Sequence, residues 1–232
     1  MSKGNPMERE ISSYISTLFR AHFGKGPAVV YVAIESAFIT LHFRDWLTAI
    51  EKSLVKQNEM KHALVTRDII MSSLESEIIQ TIERSTARHV KEFYTDWNFE
   101  SETGLILGII HEEVEEQHVK RPSMGDEQAL RAHINRAGGK LQKIPDRTDI
   151  HWLNDRTILV RRSGILLEIE KEFIRNGFIE ELKLSRQLLE RRAFKEADLE
   201  TPLNRSINET FLYWNFDKDL SYAVFRLGQE KC

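Results

Sequence analysis

The chain writes one element twice. The stretches "YTDWNFESETGLILGII" (Tyr94–Ile110) and "LYWNFDKDLSYAVFRL" (Leu212–Leu227) both carry Trp-Asn-Phe, an acid, a polar turn and an apolar run. Upstream, at an offset of 119 residues, Leu47, Ile50, Glu51, Lys52 and Arg67 fall on Leu166, Ile169, Glu170, Lys171 and Arg186. Leu54, Val55, Ile69 and Ile70 meet Phe173, Ile174, Leu188 and Leu189, so apolar positions match apolar ones. Further on the offset drops to 117, and Glu83, Arg88, Glu92, Trp97, Asn98 and Phe99 meet Glu200, Arg205, Glu209, Trp214, Asn215 and Phe216. Matches in one order, separated by a two-residue deletion, mark a duplication, and a duplicated sequence has to fold into two versions of one unit.

The elements of that unit follow from periodicity. Residues 8–23 place Ile11, Ile15 and Leu18 at helical spacing and stop near Gly24. "PAVVYVAIESAFITLHF" predicts two short strands around a turn near Glu35-Ser36, because it is rich in β-branched and aromatic residues. A short helix is expected over 46–57 and a longer one over 61–86, with Leu74, Ile78 and Ile82 along one face. Strands over 88–98 and 104–111 follow, with a turn at Glu100–Thr103. The second copy repeats the order: a helix near 127–138, strands near 147–153 and 157–162, helices within 165–203, and strands near 206–215 and 220–227.

The fold class is therefore α+β: two tandem copies of a helix-strand-strand-helix-helix-strand-strand, two-layer sandwich. The first copy is expected over residues 1–111 and the second over 127–232. The acid-rich segment between them, 112–126, is broken by Pro122 and Gly125 and reads as a linker. In "GLILGII" both alternating sets are apolar, as in a strand buried on two sides. A single copy with helices on one sheet face leaves the other face to be covered. The two copies are accordingly expected to pack as a pseudo-dimer, with Trp97, Phe99, Trp214 and Phe216 near the interface.

Charge and cysteine content narrow the function classes. Acids outnumber bases by 36 to 33, which leaves no basic excess to grip nucleic acid or an anionic lipid surface. No stretch reaches the apolar length of a membrane span, and the charged start "MSKGNPMEREISSYIS" lacks a signal-peptide core. With Cys232 as the single cysteine, no intrachain disulfide can form, and a cytoplasmic setting is expected. Docking on a membrane protein needs no span of the chain's own.

Catalytic and cofactor signatures are not found. The sequence has no nucleophile elbow, no P-loop and no dinucleotide fingerprint, and its eight histidines lack metal-ligand spacing. No cofactor and no metal are expected, and a non-enzymatic role is favoured. The residues that can meet an anion are Lys25 in "GKGP" and Arg67 at the head of an apolar stretch; Asp96, before Trp97 at a strand end, is the third candidate ligand-binding residue, its functional reading a general acid or base. Each also has a structural reading: Gly24 and Pro27 as a helix stop, Arg67 in an internal ion pair, Asp96 as a turn cap. Glu51-Lys52 and Glu170-Lys171 read as solvated helix surface. The order of elements is shared with one variant of the RNA-binding KH module. The loops "VKQNEM" and "IRNGFI" lack that module's Gly-x-x-Gly clamp, so single-stranded RNA binding stands as the alternative function.

The run "EISSYISTLFRAHFGKGP", a strand pair, "LTAIEKSLVK", a long helix opening with Arg67 and then "VKEFYTDWNFESETGLILGI" resembles the MpsC-type family. That family is named after a component of a sodium-translocating, membrane-potential-generating system. The resemblance covers about residues 8–110, and the second copy follows it more faintly, with "QKIP" (Gln142–Pro145) for "GKGP". It implies a bacterial cytoplasmic accessory or regulatory protein of ion or bicarbonate transport. Such a protein would bind transporter subunits or a small anionic ligand, and the resemblance assigns no catalytic residue.

Overall fold

The computed structural model describes residues 5–110, 126–141 and 143–230. The chain divides into two compact units, Met1–Gln117 and His118–Cys232. The expected linker lies outside the described residues, apart from Asp126.

The first unit runs α1 (Pro6–Phe23), β1 (Val29–Glu35), β2 (Phe38–Arg44), α2 (Ala49–Lys56), α3 (Met60–Thr86), β3 (Glu92–Asn98) and β4 (Thr103–Ile109). The second runs α4 (Glu127–Lys140), β5 (Arg147–Asn154), β6 (Thr157–Ser163), α5 (Glu168–Arg175), α6 (Ile179–Glu196), α7 (Glu200–Leu203), β7 (Arg205–Asn215) and β8 (Leu220–Glu230). The order expected from the sequence is present in both, with the short helix α7 added. Each sheet is fully antiparallel, in the order β1-β2-β4-β3 and β5-β6-β8-β7. That shared strand order supports the duplication.

Local chemistry sets the element ends. Asn5 caps α1 in a reciprocal capping box with Glu8, and Gly24 closes the helix in the left-handed conformation (φ 70°). The repeated Trp-Asn-Phe then has a physical explanation. Asn98 is the last residue of β3, and its side-chain oxygen accepts the Glu100 and Ser101 backbone N–H groups, which turns the chain into β4. Asn215 does the same for Lys218 at the end of β7. Asp96, which the sequence offers as a turn cap, lies within β3. Its Oδ1 accepts the N–H of Trp97 at 2.8 Å, while Asn98, two residues on, accepts the two N–H groups of the turn.

In the first unit α1 packs on β1 and α3, and α2 packs on α3. Ile39, Leu41 and Phe43 of β2, Trp97 of β3 and Ile106 of β4 meet Ile11, Ile15, Phe19, Leu74, Ile78 and Ile82 in one helix-side core. In the second unit Ile158, Val160, Leu212, Trp214, Ala223 and Phe225 meet Leu130, Ile134, Ala193 and Phe194 in the matching way. Residues of alternate parity, such as Leu105, Leu107 and Val224, lie on the opposite sheet face and are also buried.

Candidate functional site

The long helix α3 buries Ala63, Arg67, Met71, Leu74, Ile78 and Ile82, a stripe of three- and four-residue steps that includes one cation. Arg67 is 1% exposed. A charge that deep needs a partner, and Glu51 supplies it. Arg67 Nε and Nη2 donate to the two Glu51 carboxylate oxygens at 2.8 and 2.9 Å in a bidentate fork. Glu51 is itself positioned by the start of α2: Thr48 Oγ1 accepts the Glu51 N–H, and Glu51 accepts the Thr48 N–H at 2.9 Å. One carboxylate therefore caps a helix and neutralises a buried guanidinium. Sequence reasoning placed Glu51 on a solvated surface; the structure corrects this, since the residue is 6% exposed. The signal was present in Thr48-x-x-Glu51, a capping box repeated in part as Leu167-x-x-Glu170, where Glu170 accepts the Leu167 N–H.

Aromatic rings enclose the rest of the guanidinium. Its carbon lies 3.6 Å from the ring centroid of Trp46, 4.2 Å from Phe23 and 4.7 Å from Trp97. Trp46 and Trp97 meet edge-on at 4.9 Å, and Phe99 adds a further edge contact to Trp46. Burial is the largest influence on Arg67 and lowers its pKa to about 10, against the raising effect of the Glu51 charge and hydrogen bonds.

The second unit keeps the fork and changes what surrounds it. Arg186 Nε donates to Glu170 Oε1 at 2.8 Å and Nη2 donates to Oε2. At the positions of Phe43, Trp46 and Met71 stand Arg162, Ile165 and Glu190. Glu190 is fully buried and accepts from Arg186 Nη1 (2.8 Å), Trp214 Nε1 (2.9 Å) and Arg162 Nη2. Burial alone pushes the Glu190 carboxyl up; the charges of Arg162 and Arg186, with hydrogen bonds from Arg162 and Trp214, outweigh it and hold the group below its ordinary value. For Arg186 burial again acts downward, but the two carboxylates outweigh it and its pKa is raised. The same framework thus holds an arginine with one carboxylate in the first unit and two arginines with two carboxylates in the second.

The structure separates the three candidates taken from the sequence. Arg67 is the centre of the cluster. Lys25 donates its Nζ to the Leu47 carbonyl at 2.9 Å, tying the loop after α1 to the loop after β2. Lys143 makes the matching bond to the Leu166 carbonyl at 3.0 Å, so the change from "GKGP" to "QKIP" keeps the tie. Asp96 is the strand neighbour of Trp97 and faces the other side of the sheet from the Arg67 cluster. Trp97 and Phe99 belong to the helix-side core of the first unit; Trp214 belongs to that of the second, with Phe216 packed against it. Among the described residues no group of three or more metal-ligating side chains comes together, and no helix is long and apolar enough to cross a membrane.

Taken together, the chain is of the class built from two successive α+β sandwiches, each pinned by a buried arginine–glutamate fork under its helices. Residues 3–112 match the family model described as Na+-translocating membrane potential-generating system (MpsC). The match spans nearly all of the first unit, which is thus similar to the MpsC family, and the second unit repeats its strand order. No match was found among curated proteins or among solved structures.

Proposed function

We propose that the protein is a non-enzymatic accessory or regulatory component of a membrane ion-translocating system, acting from the cytoplasm by binding a partner protein or a small anionic ligand. The observation that carries this reading is the family match over the first unit, since that family is described by a sodium-translocating system. Ion or bicarbonate transport is the setting it suggests. Within the Arg67 cluster, Nε and Nη2 are tied to Glu51 in holding the fold, as expected of a scaffold rather than a reaction centre.

Surface chemistry supports a protein partner. Ile50 and Ile69 of the first unit are 75% and 67% exposed, and their counterparts Ile169 and Leu188 are 61% and 69% exposed. The helix pair after the second strand thus offers large aliphatic side chains to solvent at the same positions in both units. Exposed aliphatic groups repeated in this way suit contact with another protein.

The test is recovery of the tagged chain from membranes of its native cell. Ion-transporter subunits should co-purify, and Ile69→Asp with Leu188→Asp should release them. Recovery only in the soluble fraction without any such subunit overturns the reading. Salt-sensitive binding to mixed single-stranded RNA would replace it with the RNA-binding alternative.

A further inference from the structure

Around Arg67, three buried donors have no hydrogen-bond acceptor among the described residues: Arg67 Nη1, Trp97 Nε1 and Trp46 Nε1. They belong to one cluster, with Arg67 within 5 Å of both indole rings. Buried donors without acceptors are costly, and three around one cation require an account. The second unit supplies it atom by atom. There the corresponding atoms, Arg186 Nη1 and Trp214 Nε1, both donate to a single oxygen, Glu190 Oε1. In the second unit these two N–H groups thus meet at one acceptor point. In the first unit the position of Glu190 is held by Met71, a side chain of similar length with no strong acceptor.

We propose that the first unit binds a small carboxylate-type anion against Arg67 Nη1 and Trp97 Nε1, at the place that the Glu190 carboxylate fills from within the second unit. The inference deepens the anionic-ligand half of the proposed function and names its site and ligand class. Both clusters are neutral without a ligand, so the anion is held by the N–H donors that lack acceptors and not by excess positive charge. Arg67 has one carboxylate, Glu51, where the second unit answers Arg186 and Arg162 with Glu170 and Glu190. Trp46, which replaces Ile165, brings a third donor to the same cluster. Methionine is the residue best able to make room, having three rotatable bonds and no branching. Phe23, half-buried at the end of α1, lies 4.2 Å from the guanidinium carbon. The second unit, whose acceptor is covalently part of the chain, binds no anion at this point.

The experiment titrates the full chain with sodium formate, and in parallel with sodium acetate, against sodium chloride at equal ionic strength. Thermal unfolding and tryptophan fluorescence are the readouts. Formate or acetate should raise the unfolding temperature saturably where chloride does not. Trp97→Phe keeps the ring and removes the N–H, and should weaken the response about tenfold. Met71→Glu should abolish it while the variant stays folded, because the new carboxylate supplies the acceptor internally as Glu190 does. Should Met71→Glu fail to fold, Trp97→Phe and Glu190→Gln decide: the first must weaken the response and the second must leave its midpoint unchanged. A wild-type response equal to that of chloride, or an undiminished response in Trp97→Phe, overturns the site. Loss of the site with transporter subunits still co-purifying leaves the partner reading intact, whereas anion binding without any partner overturns only that reading.

Discussion

The Arg67 guanidinium sits over the indole of Trp46, 3.6 Å from its ring centroid, where the second unit places Ile165 instead. One arginine is therefore held by two means in the two copies: by aromatic faces in the first and by a second carboxylate in the second. The consequences of that division are measurable.

Removing Arg67 leaves Glu51 as a buried charge with its main partner gone. Arg67→Ala is expected to destabilise the first unit by about 3–5 kcal/mol, read as a drop in urea midpoint. Arg67→Lys should recover only part of the loss, since an ammonium cannot reproduce the two-pronged contact. If Arg67→Ala costs less than about 1 kcal/mol, the pair behaves like an exposed one and the buried-fork account fails.

Glu190 gives the second unit an acid sensitivity whose sign is fixed. Its folded pKa is held below the ordinary value of 4.5 by Arg162 and Arg186, so its contribution is present above that pH. The contribution is lost as pH falls through the depressed folded value. Glu190→Gln should therefore cost about 3–5 kcal/mol near neutrality, and the gap to the wild type should narrow below pH 4.5. A gap constant from pH 7 into that acid range would show that Glu190 does not ionise differently in the folded state.

Gly104 makes room for Trp97. A Cβ at Gly104 would lie 2.2 Å from Trp97 Cε3 and 2.5 Å from Cζ3, inside any tolerable contact. The second unit carries Ser221 at this position, where Trp214 stacks on Phe216 instead. Gly104→Ser is expected to cost about 1–3 kcal/mol and to shift tryptophan fluorescence as Trp97 moves off Arg67. Ser221→Gly should leave the Trp97 signal unchanged. Equal and small effects at both positions would show that the two indoles are not placed differently.

Lys25 and Lys143 tie equivalent loops, to Leu47 and Leu166. Each change to Ala should cost about 1 kcal/mol, with no effect on formate binding from either. Loss of formate binding in Lys25→Ala at full stability would return Lys25 to the anion site.

The sequence determined the plan of this protein: two copies, the order of strands and helices in each, and the turn that follows Trp-Asn-Phe. Those features are local. Period-two and period-3.6 patterns, an Asn at a strand end and a Gly at a helix end act within a few residues, and duplication writes each of them twice. Arg67 was legible as a candidate and as an ion-pair residue for the same reason, since an arginine in register with Met71, Leu74 and Ile78 has to be answered. Tertiary structure decided which acid answers it. Glu51 lies sixteen residues away on another helix and looked like surface until α2 packed on α3 and buried it. The same packing separated Asp96 from Arg67 by sheet pleating and committed Lys25 to a carbonyl. It also brought Arg186 Nη1 and Trp214 Nε1 onto one oxygen of Glu190, which no spacing rule could show. Buried electrostatics depends on which side chains share a small volume, and that is fixed only when the helices close over the sheet.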